Sequence, residues 1–538
     1  MGSHADLVFR NGPVFRADGS PPRPGAVVVA GGRITALGEE RDIAGSIGPG
    51  TRVVDLDGGL LAPGFQDAHV HPRTGGRTLL TCNLSEALTL DEALAIVRAY
   101  AAAHPDARWV WGGGWRFPWF PGGMPSKELL DSLVPDRPAY LRVADGHAGW
   151  ANSRALAAAG IDESTPDPPG GRIERNPDGS IQGTLQEDGA MRLVERHQTE
   201  TPEDVERALL EGQKHLVALG ITAWQDAWVE PELHDAYVRL AASGRLQASV
   251  RGALWWDAQG GLDEQLERII EQRQQSIDGY VAGSVKFMVD GVVENFTAAM
   301  LDPYRDASGE STGNTGMPFY EPRALERAVG EVVRLGFQPH FHAIGDAAIR
   351  AALDAVEAAG AGIGEFRPHI AHLQVIHPDD APRFGALGVT ANAQPLWACA
   401  EGAMTDLTLP FLPPGAAQHQ YPFRTLLDAG ARLAMGSDWS VTTPDVMWQV
   451  DTATTRRVIW DDAAPVFLPE ERISVLEALT AFTAGSAYVN HLDGDRGTLR
   501  KGAVADLVVL DGDPLTADEI SPIRVAMTVI GGEVAYER

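Results

Sequence analysis

Cysteine is nearly absent: Cys82 and Cys399 are the only two in 538 residues, and they form no C-x-x-C pair. That excludes a disulfide framework and points to a reducing, cytoplasmic setting. Positive charge is also scarce, with 44 lysines and arginines against 73 aspartates and glutamates, a net charge of −29. A surface this acidic repels phosphate backbones and anionic lipid, so neither nucleic acid nor a membrane surface is an expected partner. No apolar run approaches the ~20 residues needed to span a bilayer. The first residues lack the charged-then-apolar pattern of a secretion signal, and Met-Gly-Ser-His reads as a tag remnant, so His4 is set aside. Low-complexity tracts and internal repeats are missing as well.

What remains is an ordinary soluble composition, 44% hydrophobic and 22% charged, in a chain long enough for one large α/β barrel and a smaller domain. Both ends carry short alternating strands broken by N-G, G-G and D-G turns, a hairpin signature. They are "ADLVFRNGPVF" and "GAVVVAGGRITALG" at one end, "ADLVVLDGDP" and "VAMTVIGGEVAYE" at the other. The expectation is one small composite β-sandwich from residues 1–61 and 495–538. Between them, in residues 62–494, short apolar strands alternate with helical stretches. Eight strands are expected near Gly64–His69, Thr222–Ala227, Ala248–Leu254, Ser284–Val289, Gln338–Ala343, Pro368–Leu373, Val389–Gln394 and Leu433–Asp438. Eight β/α units predict a distorted TIM (β/α)8 barrel. The gap between the first two strands far exceeds a βα loop, so about 75–205 reads as an inserted cap.

Candidate chemistry sits at the C-terminal ends of those strands, where barrel enzymes place it. "PGFQDAHVHP" ends strand one with His69 and His71, which share a face because they are two apart. Two neutral imidazoles side by side suit a transition-metal ion. Strand four carries Lys286 in "GSVKFMVDG", strand five ends "QPHFHAIGD", strand six is "PHIAHLQ" and strand eight is "LAMGSDW" with Asp438. His340 shares a face with His342 and stands as an alternative ligand, whereas His369 and His377 read as surface or capping residues. Lys286 has two readings, a metal ligand or a plain ammonium paired with Asp290.

With "DGHAGWANSRAL", "GTLQED", "LGITAWQDA" and "HAIGDAA" added, the chain resembles the amidohydrolase superfamily, in the family 3 branch that includes N-substituted formamide deformylase. The resemblance implies a metal-dependent hydrolase that cleaves a non-peptide C–N bond with metal-activated water. Carried over by position, His69 and His71 would hold one ion and His342 and His372 a second. Lys286, carboxylated by CO2, would bridge them, and Asp438 would bind the first ion and move protons. A carbamate is an oxygen ligand where an ammonium is none. Zinc suits the set, as one or two ions. A deaminase or a cyclic amidase of the same superfamily is the alternative; a non-catalytic scaffold fits the full ligand set poorly. Relatives often carry Glu where this chain has Ala371. A homodimer would be common for such an enzyme.

The substrate is expected to be a small molecule with an apolar or aromatic group. The insertion crowds Trp109, Trp111, Trp115, Phe117, Trp119 and Phe120 into residues 109–120, with Trp150 following. Trp397 and Trp439 lie near strand ends. Trp115, Trp119, Trp150, Trp397 and Trp439 are the candidate substrate contacts, although aromatic rings as often serve packing. His147 matches a family histidine that would reach the substrate or its developing oxyanion, or tie the insertion down. Asn152 is read as a helix N-cap.

Overall fold

A computed structural model describes residues 4–538 except 86, 88, 117–118, 121–122, 144–147, 169–170, 295, 361 and 462. The expected His147 and Phe117 contributions lie outside the described residues. The chain divides into two compact units, Met1–Pro72 with Gln213–Arg538, and Arg73–Gly212.

All eight expected barrel strands form. In chain order they are Phe65–Val70, Ile221–Val229, Ser249–Trp255, Tyr280–Met288, Gln338–Ala343, His369–His372, Thr390–Ala393 and Arg432–Met435. Each pairs in parallel with the next. They are near-continuous buried runs, as a sheet covered on both faces requires. The circle closes through backbone bonds from Asp438 N–H to the His69 carbonyl at 2.8 Å and from His71 N–H to the Trp439 carbonyl at 2.7 Å. Gly436 permits this approach. A Cβ there would lie 2.5 Å from the His69 nitrogen and 2.9 Å from Asp67 Oδ1, closer than real side chains come.

The intervening helices are amphipathic for the same reason. Pro322–Arg334 starts on Pro322, where the missing N–H costs nothing, and buries Leu325, Ala328, Val329, Val332 and Val333 on one stripe. Gly336, at φ 83°, then turns the chain into the fifth strand.

Both termini contribute to one eight-stranded sheet. Leu61–Pro63 pairs antiparallel with Leu507–Leu510, joining the two ends of the chain. Its hairpins turn on Gly31–Gly32 and Gly531–Gly532, all four with positive φ, as a two-residue turn of this kind demands.

The Arg73–Gly212 unit has its own six-stranded sheet. Its core includes Val97, Leu130 and Leu141 with Trp115 and Trp150. Asn152 does cap the helix Ser153–Ala159, its side chain accepting from Ala155 N–H. No helix among the described residues is long and apolar enough to cross a membrane.

Candidate metal centre

Strand register explains why the polar residues meet. His340 and His342 lie two apart on the fifth strand and share a face; His340 registers with Lys286 on one side and His369 on the other. His342 sits one step closer to the C-terminal mouth. His372 would point the opposite way from His369 on a regular strand, three residues being an odd step. Left-handed backbone at His372 (φ 81°) and Leu373 (φ 58°) turns it back, and both rings meet the same cluster. Asp438 is left-handed too, at φ 53°. Non-glycine residues held there signal a site whose surroundings over-determine the backbone. At His372 the restraint is visible: its N–H donates to Gln394 Oε1 at 2.7 Å.

The result is a convergent donor set. His69, His372 and Asp438 each bring one donor atom within 4.8 Å of the others. Asp438 Oδ1 lies 3.0 Å from His71 Nε2 and 3.4 Å from His69 Nε2. The His342 ring packs 4.4 Å from that of His372, and its Nε2 is 3.2 Å from the Gly291 carbonyl. Lys286 is 2% exposed beside them. Thus the structure places His69, His71, His342, His372 and Asp438 close together, with Lys286 at their side.

Burial sets the charge states. It pulls His69 and His372 well below the usual histidine range and His342 down to about 3, so the imidazoles are neutral, the form that binds metal. Burial likewise brings Lys286 down to about 7. For Asp438 burial pushes upward, but the hydrogen bond from His71 and neighbouring positive charge outweigh it and hold the carboxyl below its ordinary value. The set therefore fits a divalent cation: neutral nitrogens, one certain carboxylate, and a buried His372 Nδ1 with no hydrogen-bond partner.

Several sequence expectations change. His369 is not a surface residue: it is 0% exposed, with Nε2 3.0 Å from Gln225 Oε1. Asp290 is not taken up by Lys286. Its carboxylate accepts from the N–H groups of Ala299, Ile344 and Gly345. Trp115 and Trp150 are fully buried within the Arg73–Gly212 unit, their N–H groups bonded to the Leu141 and Ser126 carbonyls. Those rings serve as packing rather than as an open pocket wall, and Trp119 packs against the same core. Trp397 instead stacks on His372, centroids 5.2 Å apart and planes 7° apart, while Trp439 is 7% exposed and lies against His215.

Asp67 escaped the sequence reading because one carboxylate beside two histidines looks incidental. It is the brace between first strand and eighth-strand loop. Oδ1 accepts from His69 N–H at 3.0 Å and Ser437 N–H at 3.1 Å, and Oδ2 from Ser437 Oγ at 2.6 Å. Asp67→Ala orphans these donors and should destabilise the protein by about 2–4 kcal/mol, measured as a lowered urea midpoint. Burial raises the Asp67 carboxyl from 3.8 to about 7. A raised folded-state value means its stabilising contribution is present below pH ~4 and fades as pH climbs toward 7. In chelator-treated protein, Asp67→Asn should therefore gain on the parent across that window; a constant difference would refute the raised carboxyl.

A model of the amidohydrolase family matches residues 52–536. This chain belongs to the amidohydrolase family. It is 32% identical to the protein LONG AFTER FAR-RED 3 of Arabidopsis thaliana, over 99% of this chain and 92% of that protein. With N-substituted formamide deformylase of Arthrobacter pascens it shares 29% identity over 99% of this chain and 98% of the other. An uncharacterized metal-dependent hydrolase of Pyrococcus furiosus shares the fold, with a TM-score of 0.74 at 24% identity, covering 95% of this chain and all of that one. This amidohydrolase is an enzyme of a family that hydrolyses carbon–nitrogen bonds, mostly those of non-peptide amides.

Proposed function

We propose that this amidohydrolase hydrolyses a small non-peptide amide, of the N-substituted formamide type, with an apolar or aromatic group on nitrogen. The observation that carries the reading is the convergence of His69, His372 and Asp438 donor atoms within 4.8 Å at the barrel mouth. His69 and His71 would hold one ion with Asp438, and His342 and His372 a second, zinc by the donor chemistry, with carboxylated Lys286 between them. When bound, such ions supply carbonyl polarisation and water acidic enough to ionise near neutral pH.

The chain's own residues do the rest. Asp438, ionised at neutral pH, accepts the proton of the attacking water and returns it to the departing nitrogen, which must leave as a neutral amine. Trp397, fixed face to face on His372, offers a flat apolar surface at the edge of the cluster. The formamide deformylase relative supports the bond type. Two buried unpaired cysteines support a reducing, cytoplasmic setting.

The test is a product screen with zinc-loaded enzyme: N-benzylformamide, N-butylformamide, N-benzylacetamide, a cyclic imide and an aminopurine. Formate release that is fastest from the benzyl substrate is the expected result. Ammonia from the aminopurine, or ring opening of the imide, with no formate, would replace this reading by the deaminase or cyclic-amidase one.

A further inference from the structure

Below the metal-site residues, the barrel interior holds a chain of hydrogen bonds whose direction can be worked out from one end. Arg251 is the fixed point, because a guanidinium only donates. Its Nε lies 3.0 Å from Gln338 Oε1, so that atom is the amide oxygen; Ser284 Oγ donates to it as well, at 2.5 Å. The other end of the Gln338 amide agrees, donating to the Arg367 and Val489 carbonyls at 2.8 and 3.0 Å. Gln225 Nε2 then donates to Gln338 Oε1 at 3.2 Å, which leaves Gln225 Oε1 as the acceptor facing two histidines.

Those are His340 Nδ1 at 2.7 Å and His369 Nε2 at 3.0 Å. An amide oxygen carries no hydrogen, so both nitrogens must. A neutral imidazole has a single N–H, so His340 Nε2 is bare and accepts from His69 Nδ1, 2.9 Å away. His369 Nδ1, equally bare, accepts from Asn392 Nδ2 at 3.1 Å. Gln394 bonds to the same asparagine, Nε2 to Oδ1 at 3.2 Å, and its own oxygen takes the His372 N–H.

We infer that Arg251 and Gln225 act through His340 to lock His69 in its Nδ1-protonated tautomer, keeping the Nε2 lone pair free for a metal ion. His340 is thus a positioning residue, and the residue that reads in sequence as an alternative ligand serves the ligand instead. Partners of this kind fix a ligating imidazole's orientation and tautomer. The inference rests on the metal-site reading of the proposed function, and its test separates the two.

The first readout needs no relay variant. Nitrogen-15 NMR of metal-free protein with labelled histidine, assigned with His69→Ala, should show His69 protonated on Nδ1. The second is zinc affinity by chelator competition. His340→Leu should bind about 10- to 100-fold more weakly, and His340→Gln, which keeps one donor and one acceptor, should recover most of that loss. Melting of the metal-free variants shows whether each is folded. His69 protonated on Nε2, or a folded His340→Leu with parental zinc affinity, overturns the relay while leaving the metal site intact. A parent that binds no divalent ion overturns both.

Discussion

An Asp438→Asn enzyme, saturated with zinc, should turn over its best substrate about a hundred- to ten-thousand-fold more slowly than the parent, with a much smaller change in KM. The side chain is 4% exposed, and its Oδ1 lies within 3.4 Å of both His69 Nε2 and His71 Nε2. Asparagine copies its size and keeps one oxygen at the site. What it loses is the capacity to take a proton. Because the carboxyl is held below its ordinary value, the parent carries the base form throughout the neutral range. Steady-state kinetics with metal content measured on the same sample separates proton transfer from metal loss. Activity within about twofold of the parent would move the base elsewhere.

The second large effect is expected at Lys286. Burial brings this amine to about 7, so a substantial share is uncharged at neutral pH. Only the free amine attacks CO2: the N–C bond forms, one proton leaves, and the product is an anionic carbamate. Its oxygens would give the site a ligand that an ammonium cannot. Lys286→Ala should therefore lose about half of the parent's bound metal and most of its activity. Carbon-13-labelled bicarbonate should give a carbamate signal in the parent that the variant lacks. A parent without that signal, and a variant with full metal content, would make Lys286 a plain cation.

Much of this arrangement is legible in the sequence, for reasons specific to each segment. His69 and His71, and His340 and His342, obey the two-residue period of a strand, so their common faces follow from spacing alone. Asp438 follows a short apolar strand in "LAMGSDW" and sits where barrel chemistry sits. His369 is misread because the left-handed turn at His372 and Leu373 breaks the period that would separate the two rings. Asp67, Gln225 and Gln394 are hidden for another reason. Each earns its role from a partner more than 20 residues away, Asp67 from Ser437, Gln225 from His340 and Gln394 from His372. Trp115 and Trp150 show the converse. A dense aromatic run looks like a pocket lining, yet a 140-residue unit needs large rings for its own core.

The convergence of three histidine strands and one aspartate loop on a cation is the central claim, and metal content tests it most directly. Elemental analysis of protein purified without chelators should find about two divalent ions per chain, zinc foremost, with His69→Ala retaining at most one of them. A folded parent that holds no stoichiometric metal, and whose hydrolytic activity survives dialysis against a strong chelator, would contradict it.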